Sequence, residues 1–399
     1  MLEVSQNRHK MDSKCRRNLN VILMITLFLI IVLNTFGNER LFVPLTIPIL
    51  SRKDKPSSEP CTFALFRDVM KQKHNFLREG KWHNSTDTEF YQPEICKFRF
   101  ARVPQNFMSM CLEKVNISYI LSMGDSTGGR YYQALLNTST IKFTTIRQEV
   151  LREGGFLPDI KYFAKHLPED VMKFVKAKFR FCSGCKSIMN QAILKNNHSS
   201  DYLLNIEHIA QTMILDDSLE VVYPSHNVAR SILNKTWAIT MQEVIFRYYL
   251  NKQYPDLFII FLPFSHAKVN LPLSRLPTEI QYFKALVEEY LPQKTKLFYM
   301  PAHSEHEQAR KHKEWKNRLF DGMLAKEKIN RMNQILYRVL ENDLLNQSGR
   351  YYGFLDLFHL SKDLDSWSLD GVHLKPVWYE TVMSMFWETY CNSVLMDRF

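Results

Sequence analysis

Residues Ile117–Leu136 read ISYILSMGDSTGGRYYQALL, and this stretch decides the architecture. Ile117–Met123 is a short, mostly apolar run with the composition of a buried strand. Gly124-Asp125-Ser126 breaks it, and a helix is expected over Gly128–Leu136, opening on Gly128-Gly129-Arg130. A strand that turns through Gly-Asp-Ser into a helix is the building unit of parallel α/β sheets, and it leaves Ser126 at a carboxyl end of the sheet. A serine there has its hydroxyl held clear of the strands, next to helix N-terminal N–H groups that can stabilise an oxyanion. Alone, Gly-Asp-Ser is also an ordinary turn, because all three residues favour turns.

The same alternation continues downstream. Strands are expected at Tyr202–Glu207, Asp256–Leu262, Lys296–Met300 and Tyr352–Phe358. Helices are expected from the capping box Thr240/Glu243 to Leu250, over Thr278–Leu291, around Ile329, Met332, Leu336 and Val339, and from Pro376 to about Val394. Continuous apolar strands separated by helices predict a three-layer α/β/α sandwich on a largely parallel sheet. Cys61–Val115, with three cysteines and no clear period, reads as an irregular extension packed on that domain.

A nucleophilic serine needs a base, and the base needs an orienting acceptor. Asp370-Gly371-Val372-His373, in the loop between the last strand and the final helix, offers both three residues apart. A lone D-x-x-H is commonplace; paired with a Gly-Asp-Ser at the same sheet end, it points to acyl chemistry. Gly124–Gly128 also fits the G-x-S-x-G elbow of α/β-hydrolases, whose acid and base come from separate loops, so the compact D-x-x-H argues against it. A trypsin-like reading fails on chain order. His303-Ser304-Glu305-His306-Glu307 has the look of a metal cluster, but an exposed polar helix start reads the same way and is preferred, so no metal is expected. His266 and His359 read as structural, with His266 the better placed for substrate.

Leu19–Phe36 (LNVILMITLFLIIVLNTF) is uncharged and long enough for a bilayer core of ~30 Å. Arg8, Lys10, Lys14, Arg16 and Arg17 precede it, so the positive-inside rule puts the N-terminus in the cytosol. A cleaved signal peptide is the competing reading, and Thr35-Phe36-Gly37 is a poor site for it. The expected order is a cytosolic tail (1–18), an anchor (19–36), a Pro/Ser/Lys-rich stem (37–60) and a lumenal body (61–399). Cys61, Cys96, Cys111, Cys182, Cys185 and Cys391 lie beyond the anchor and are disulfide candidates with their pairing open. Asn84, Asn116, Asn137, Asn197, Asn234 and Asn346 begin N-x-S/T sequons, also beyond it. Of the net charge of +11, +8 lies beyond the first eighteen residues; it would suit an anionic substrate or surface, but Lys and Arg scattered over a solvated face is the preferred reading. No basic stripe interleaved with aromatics accompanies it, so nucleic acid is not an expected partner.

Gly-Asp-Ser opening the domain and D-G-V-H before the final helix resemble the SGNH (GDSL-type) esterase superfamily, whose fold is flavodoxin-like. Gly80-Lys81-Trp82, Cys111-Leu112 before the Gly-Asp-Ser, and DLFIIFLPFSH at Asp256–His266 are more narrowly similar to its PC-esterase branch. That branch includes plant polysaccharide O-acetyltransferases and the C-terminal domain of neurexophilin-and-PC-esterase proteins; the similarity spans about Cys61–Phe399. It implies Ser126 as nucleophile, His373 as base, Asp370 as its orienter, and an acyl-enzyme passed to water or to a sugar hydroxyl. The family's Arg three residues after the serine is here Gly129, with Arg130 one later as a substrate-binding candidate beside His266. The Gly and Asn that complete the family's oxyanion hole are replaced by Pro263-Phe264-Ser265-His266, which leaves Ser126 and Gly155 as candidate N–H donors. The expectation is a membrane-anchored esterase or O-acetyltransferase of the Golgi or endoplasmic reticulum, acting on carbohydrate. It has no bound cofactor; transfer requires an acyl donor such as acetyl-CoA, supplied in the lumen. The rival expectation is a non-catalytic glycan-binding or adhesion protein on the same fold.

Overall fold

The computed structural model describes residues 59–84, 89–138, 141–150, 186–194, 201–210, 245–246, 250, 253–262, 273–309, 325–347 and 349–399. All belong to the unit Pro56–Phe399. The tail, the anchor and nearly all of the stem lie outside the described residues, as do Gly155, Cys182, Cys185, Asn197, Asn234, the Thr240/Glu243 box and His266. Among the described residues no helix is long and apolar enough to cross a membrane.

In chain order the elements are α1 (Phe63–Lys73), β1 (Gly80–Asn84), β2 (Glu89–Pro93), α2 (Gln105–Lys114), β3 (Tyr119–Gly124), α3 (Ser126–Asn137), β4 (Thr144–Val150), β5 (Lys186–Leu194), β6 (Tyr202–Ala210) and β7 (Leu257–Phe261). Then come α4 (Leu276–Tyr290), β8 (Lys296–Met300), α5 (Ala325–Leu345), β9 (Tyr351–Gly353), α6 (Leu357–Ser361) and α7 (Pro376–Leu395). A seven-stranded sheet has the order β4-β5-β6-β3-β7-β8-β9. β6, β3, β7, β8 and β9 run parallel, while β5 and β4 add antiparallel at one edge. Ranked by their place in the chain, the parallel strands read 2-1-3-4-5, the flavodoxin-type order, whose switch point lies beside the first strand at its carboxyl end. Ser126 follows that strand.

Side chains alternate between two cores, as the pleat requires. Ile120, Ile259, Phe261, Phe298 and Met300 pack with α3, α7 and the segment before β3, whereas Leu121, Met123, Phe258, Ile260 and Leu297 pack with α4 and α5. Both sheet faces are thus covered by helices, and β7 (LFIIF) is buried throughout because it lies between two parallel neighbours. The antiparallel edge has one wet face: Ala192 and Leu194 point inward while Ile193 is 65% exposed.

Three expectations are corrected. Cys61–Val115 is not irregular: α1, the β1–β2 hairpin and α2 cover α7, which is why α7 is buried on nearly every side. Two disulfides tie this layer down, Cys61–Cys96 within it and Cys111–Cys391 from α2 to α7. The last strand spans only Tyr351–Gly353; the chain then leaves the sheet, Leu355 bridges to Leu77, and Asp356 caps α6 through the His359 N–H. Finally, His303, Ser304, Glu305 and His306 are almost wholly buried in an irregular segment after β8, not on an exposed helix start.

Candidate active site

β3 ends at Gly124, and Asp125 caps the following helix, its Oδ1 accepting from the Thr127 N–H at 2.9 Å and the Thr127 hydroxyl at 2.6 Å. The helix therefore begins at Ser126, two residues before the expected start. A Cβ on Gly124 would lie 2.9 Å from Phe261 Cβ and 3.0 Å from Gly128 Cα, so only glycine lets the turn sit this close to β7. Asp125 and Thr127 are buried and Ser126 between them is exposed. The cap points inward and the hydroxyl outward.

Ser126 Oγ lies 2.9 Å from His373 Nε2. His373 Nδ1 lies 2.7 Å from Asp370 Oδ2. Asp370 Oδ1 accepts the N–H groups of Val372 (3.0 Å) and His373 (2.8 Å), so one carboxylate folds the loop and orients the ring. Burial acts to raise the Asp370 carboxyl, but the hydrogen bonds from His373 and Val372 outweigh it and hold it down at about 2. An ionised Asp370 keeps the His373 proton on Nδ1, which leaves Nε2 bare to accept from Ser126. Gly371 takes φ 95°, a conformation other residues rarely adopt, and its N–H reaches Ser368 Oγ at 2.9 Å.

The segment after β8 holds this loop from behind. The His306 N–H donates to Gly371 O (2.8 Å), and His306 Nδ1 lies 3.0 Å from Asp365. Burial keeps the His306 imidazole below its usual range even so. His303 Nε2 lies 2.8 Å from Val372 O, and its Nδ1 lies 3.2 Å from the Tyr131 hydroxyl. Sequence reasoning set these histidines aside; the available signal was their place directly after an apolar strand, at the sheet end that carries Ser126.

No family model matches the chain. Nor does any curated protein match it. Among solved structures it is similar to a peptidoglycan O-acetylesterase, with 9% identity and a TM-score of 0.37 over 74% of this chain and 98% of that one. It is also similar to a DUF4886 family protein from Bacteroides uniformis, with 9% identity and a TM-score of 0.27 over 71% and 96%.

Arg130 is half-buried one helical turn beyond Ser126, where its charge acts on His303 and Tyr379. Gly155 and His266 lie outside the described residues. His359 pairs locally with Asp356 at 2.6 Å. Among the described residues no group of three or more His, Cys, Asp or Glu is arranged to hold a metal. A cavity of about 500 Å³ lined by Glu288, Lys296, Arg350 and Tyr351 opens where β8 and β9 begin, at the opposite end of the sheet from Ser126.

Proposed function

We propose that this chain is a serine-dependent acyl esterase or O-acyltransferase of SGNH type, most similar in its motifs to the PC-esterase branch. The observation that carries the reading is the continuous relay Ser126 Oγ, His373 Nε2 and Nδ1, Asp370 Oδ2, at 2.9 and 2.7 Å. Both distances suit general-base transfer, and the relay lies at the switch point of the sheet. In the first step His373 Nε2 takes the Ser126 proton as Oγ attacks the ester carbonyl. The tetrahedral intermediate collapses, the alcohol departs with the proton from His373, and the acyl group remains on Oγ. His373 then activates water, or a sugar hydroxyl, to release or transfer it. The Ser126 N–H, in the first turn of α3, is a candidate oxyanion donor, with Gly155 as the second.

Carbohydrate as substrate, an acyl donor such as acetyl-CoA for transfer, anchoring through residues 19–36 and a lumenal body in the Golgi or endoplasmic reticulum all belong to this proposal. The anchoring and the lumenal placement are supported by the basic flank of the apolar run and by the sequons and cysteines that follow it, and the carbohydrate substrate and the acyl donor by the resemblance to the PC-esterase branch. The second reading, a glycan-binding protein without turnover, is favoured by Pro263–His266 standing where the family's oxyanion Gly and Asn are expected.

The test is to treat the full-length protein in detergent with a fluorophosphonate and map the adduct by mass. One adduct, on Ser126 and absent from Ser126→Ala, is expected. A folded, disulfide-bonded protein that takes no adduct would overturn the enzymatic reading.

A further inference from the structure

We propose that His303 is a positioning residue that locks the Asp370–His373 loop to the helix carrying Ser126, and so sets the distance between serine and base. The inference rests on the Ser126–His373–Asp370 reading above. Its ground is a hydrogen-bond chain whose polarity is fixed at every step. The Val372 carbonyl can only accept, so the 2.8 Å contact requires the proton on His303 Nε2. Nδ1 is then bare and accepts from the Tyr131 hydroxyl at 3.2 Å, and that oxygen in turn accepts the Trp378 indole N–H at 3.0 Å.

Each member belongs to a different part of the site. Tyr131 lies on α3, five residues after Ser126; Val372 precedes His373; and Trp378 lies on α7, five residues after His373. His303, three residues beyond the end of β8, joins all three. Tyr131, His303 and Trp378 are buried to 2%, 0% and 0% exposure, and His303 meets the rings of Tyr131, Trp378 and Tyr379 at 5.8–6.2 Å. In such a cage a charged imidazole is strongly disfavoured: burial, with the positive charge of Arg130 adding to it, holds His303 down at about 3 against the Val372 carbonyl. The ring therefore remains neutral and keeps one tautomer.

The experiment compares full-length wild type with His303→Phe, His303→Gln and Tyr131→Phe. It measures kcat and KM for 4-nitrophenyl acetate hydrolysis, the rate of fluorophosphonate labelling, and thermal unfolding. Since a misplacement of ~1 Å costs about 10²-fold, His303→Phe is expected to lower kcat and the labelling rate about 100-fold with KM within about threefold. His303→Gln, whose amide N–H can still reach the Val372 carbonyl, should recover to within about tenfold of wild type. If His303→Phe does not fold, Tyr131→Phe decides: kcat about tenfold down at unchanged KM is expected. Folded variants with wild-type kcat and labelling rate overturn the inference. A wild type that neither labels nor turns over overturns the Ser126 reading itself, so the two failures are distinguishable.

Discussion

Ser126 Oγ and His373 Nε2 lie 2.9 Å apart although 247 residues separate them in the chain. The packing of α3 against α7 and the loop before it brings them together. Asp370 decides what that contact can do, because its carboxylate keeps the imidazole proton on Nδ1.

Asp370→Asn tests this directly. The amide can still accept the Val372 and His373 N–H groups through Oδ1, but it places an NH2 opposite Nδ1. The ring then protonates on Nε2, which can no longer accept from Ser126. A fall in kcat of about 10⁴-fold on 4-nitrophenyl acetate is expected, with little change in melting temperature. A fall of less than about tenfold would argue against His373 as the base.

Gly124 and Gly128 flank the serine and are expected to respond oppositely. Gly124→Ala brings its methyl within 3.0 Å of two backbone-linked atoms, a clash that typically costs ~1–3 kcal/mol. Gly128→Ala meets neighbours at 3.4–3.5 Å, an ordinary contact, and lies within α3, where alanine is favoured by roughly 0.5–1 kcal/mol. Urea unfolding of the two variants should place them on opposite sides of wild type.

Stability against pH should show two limbs. Burial pushes the Glu388 carboxyl up from 4.5 to about 7, against hydrogen bonds from the Arg99 and Phe100 N–H groups. Between those values the folded protein holds a proton that the unfolded chain releases, so this contribution is full below about 4.5 and is lost as pH rises through 7. His303 has the opposite sign. Held near 3 instead of 6.5, it stays neutral while the unfolded chain takes up a proton, so stability falls as pH drops from 6.5 towards 3. The two slopes oppose each other between 4.5 and 6.5, so in melting curves across pH 3–8 Glu388→Gln should extend the rise from 3 up to 6.5 and remove the fall towards 7, while His303→Gln should remove the rise from 3 and expose a fall from 4.5 to 7. Unchanged slopes would remove these two groups as the cause.

The disulfides should differ in weight. Cys111–Cys391 closes a separation of 280 residues and Cys61–Cys96 one of 35. Loop entropy then makes loss of the former about 2 kcal/mol more costly. Denaturant titrations of the two double-alanine variants measure the difference; equal losses would mean that native-state packing, not the unfolded chain, dominates.

The proposed topology has its own test. Asn116, Asn137 and Asn346 are exposed, each at the carboxyl end of a helix. In sealed microsomes the body should resist protease and lose mass on enzymatic deglycosylation, while an N-terminal tag is digested. A protected tag with an unglycosylated, digested body would reverse the orientation.

Local sequence carried much of this architecture. The apolar runs at β3, β7 and β8 stood out because a strand between two parallel neighbours is buried on both faces and tolerates little polar residue. The Ser126 turn and the Asp370–His373 loop were legible for the same local reason: Gly, Asp and Ser write their turns in adjacent residues. What the sequence could not decide is which distant pieces meet. Asp356–His359 and Asp370–His373 are both Asp-x-x-His, with nearly the same internal hydrogen bonds. One caps a short helix, and the other reaches Ser126. Likewise His303-Ser304-Glu305-His306 is polar enough to read as surface, yet it is buried, with Tyr131, Ser361, Val372 and Gly371 from three other segments hydrogen-bonded to it. Burial of a polar group depends on partners that composition does not list, and only the folded chain supplies them.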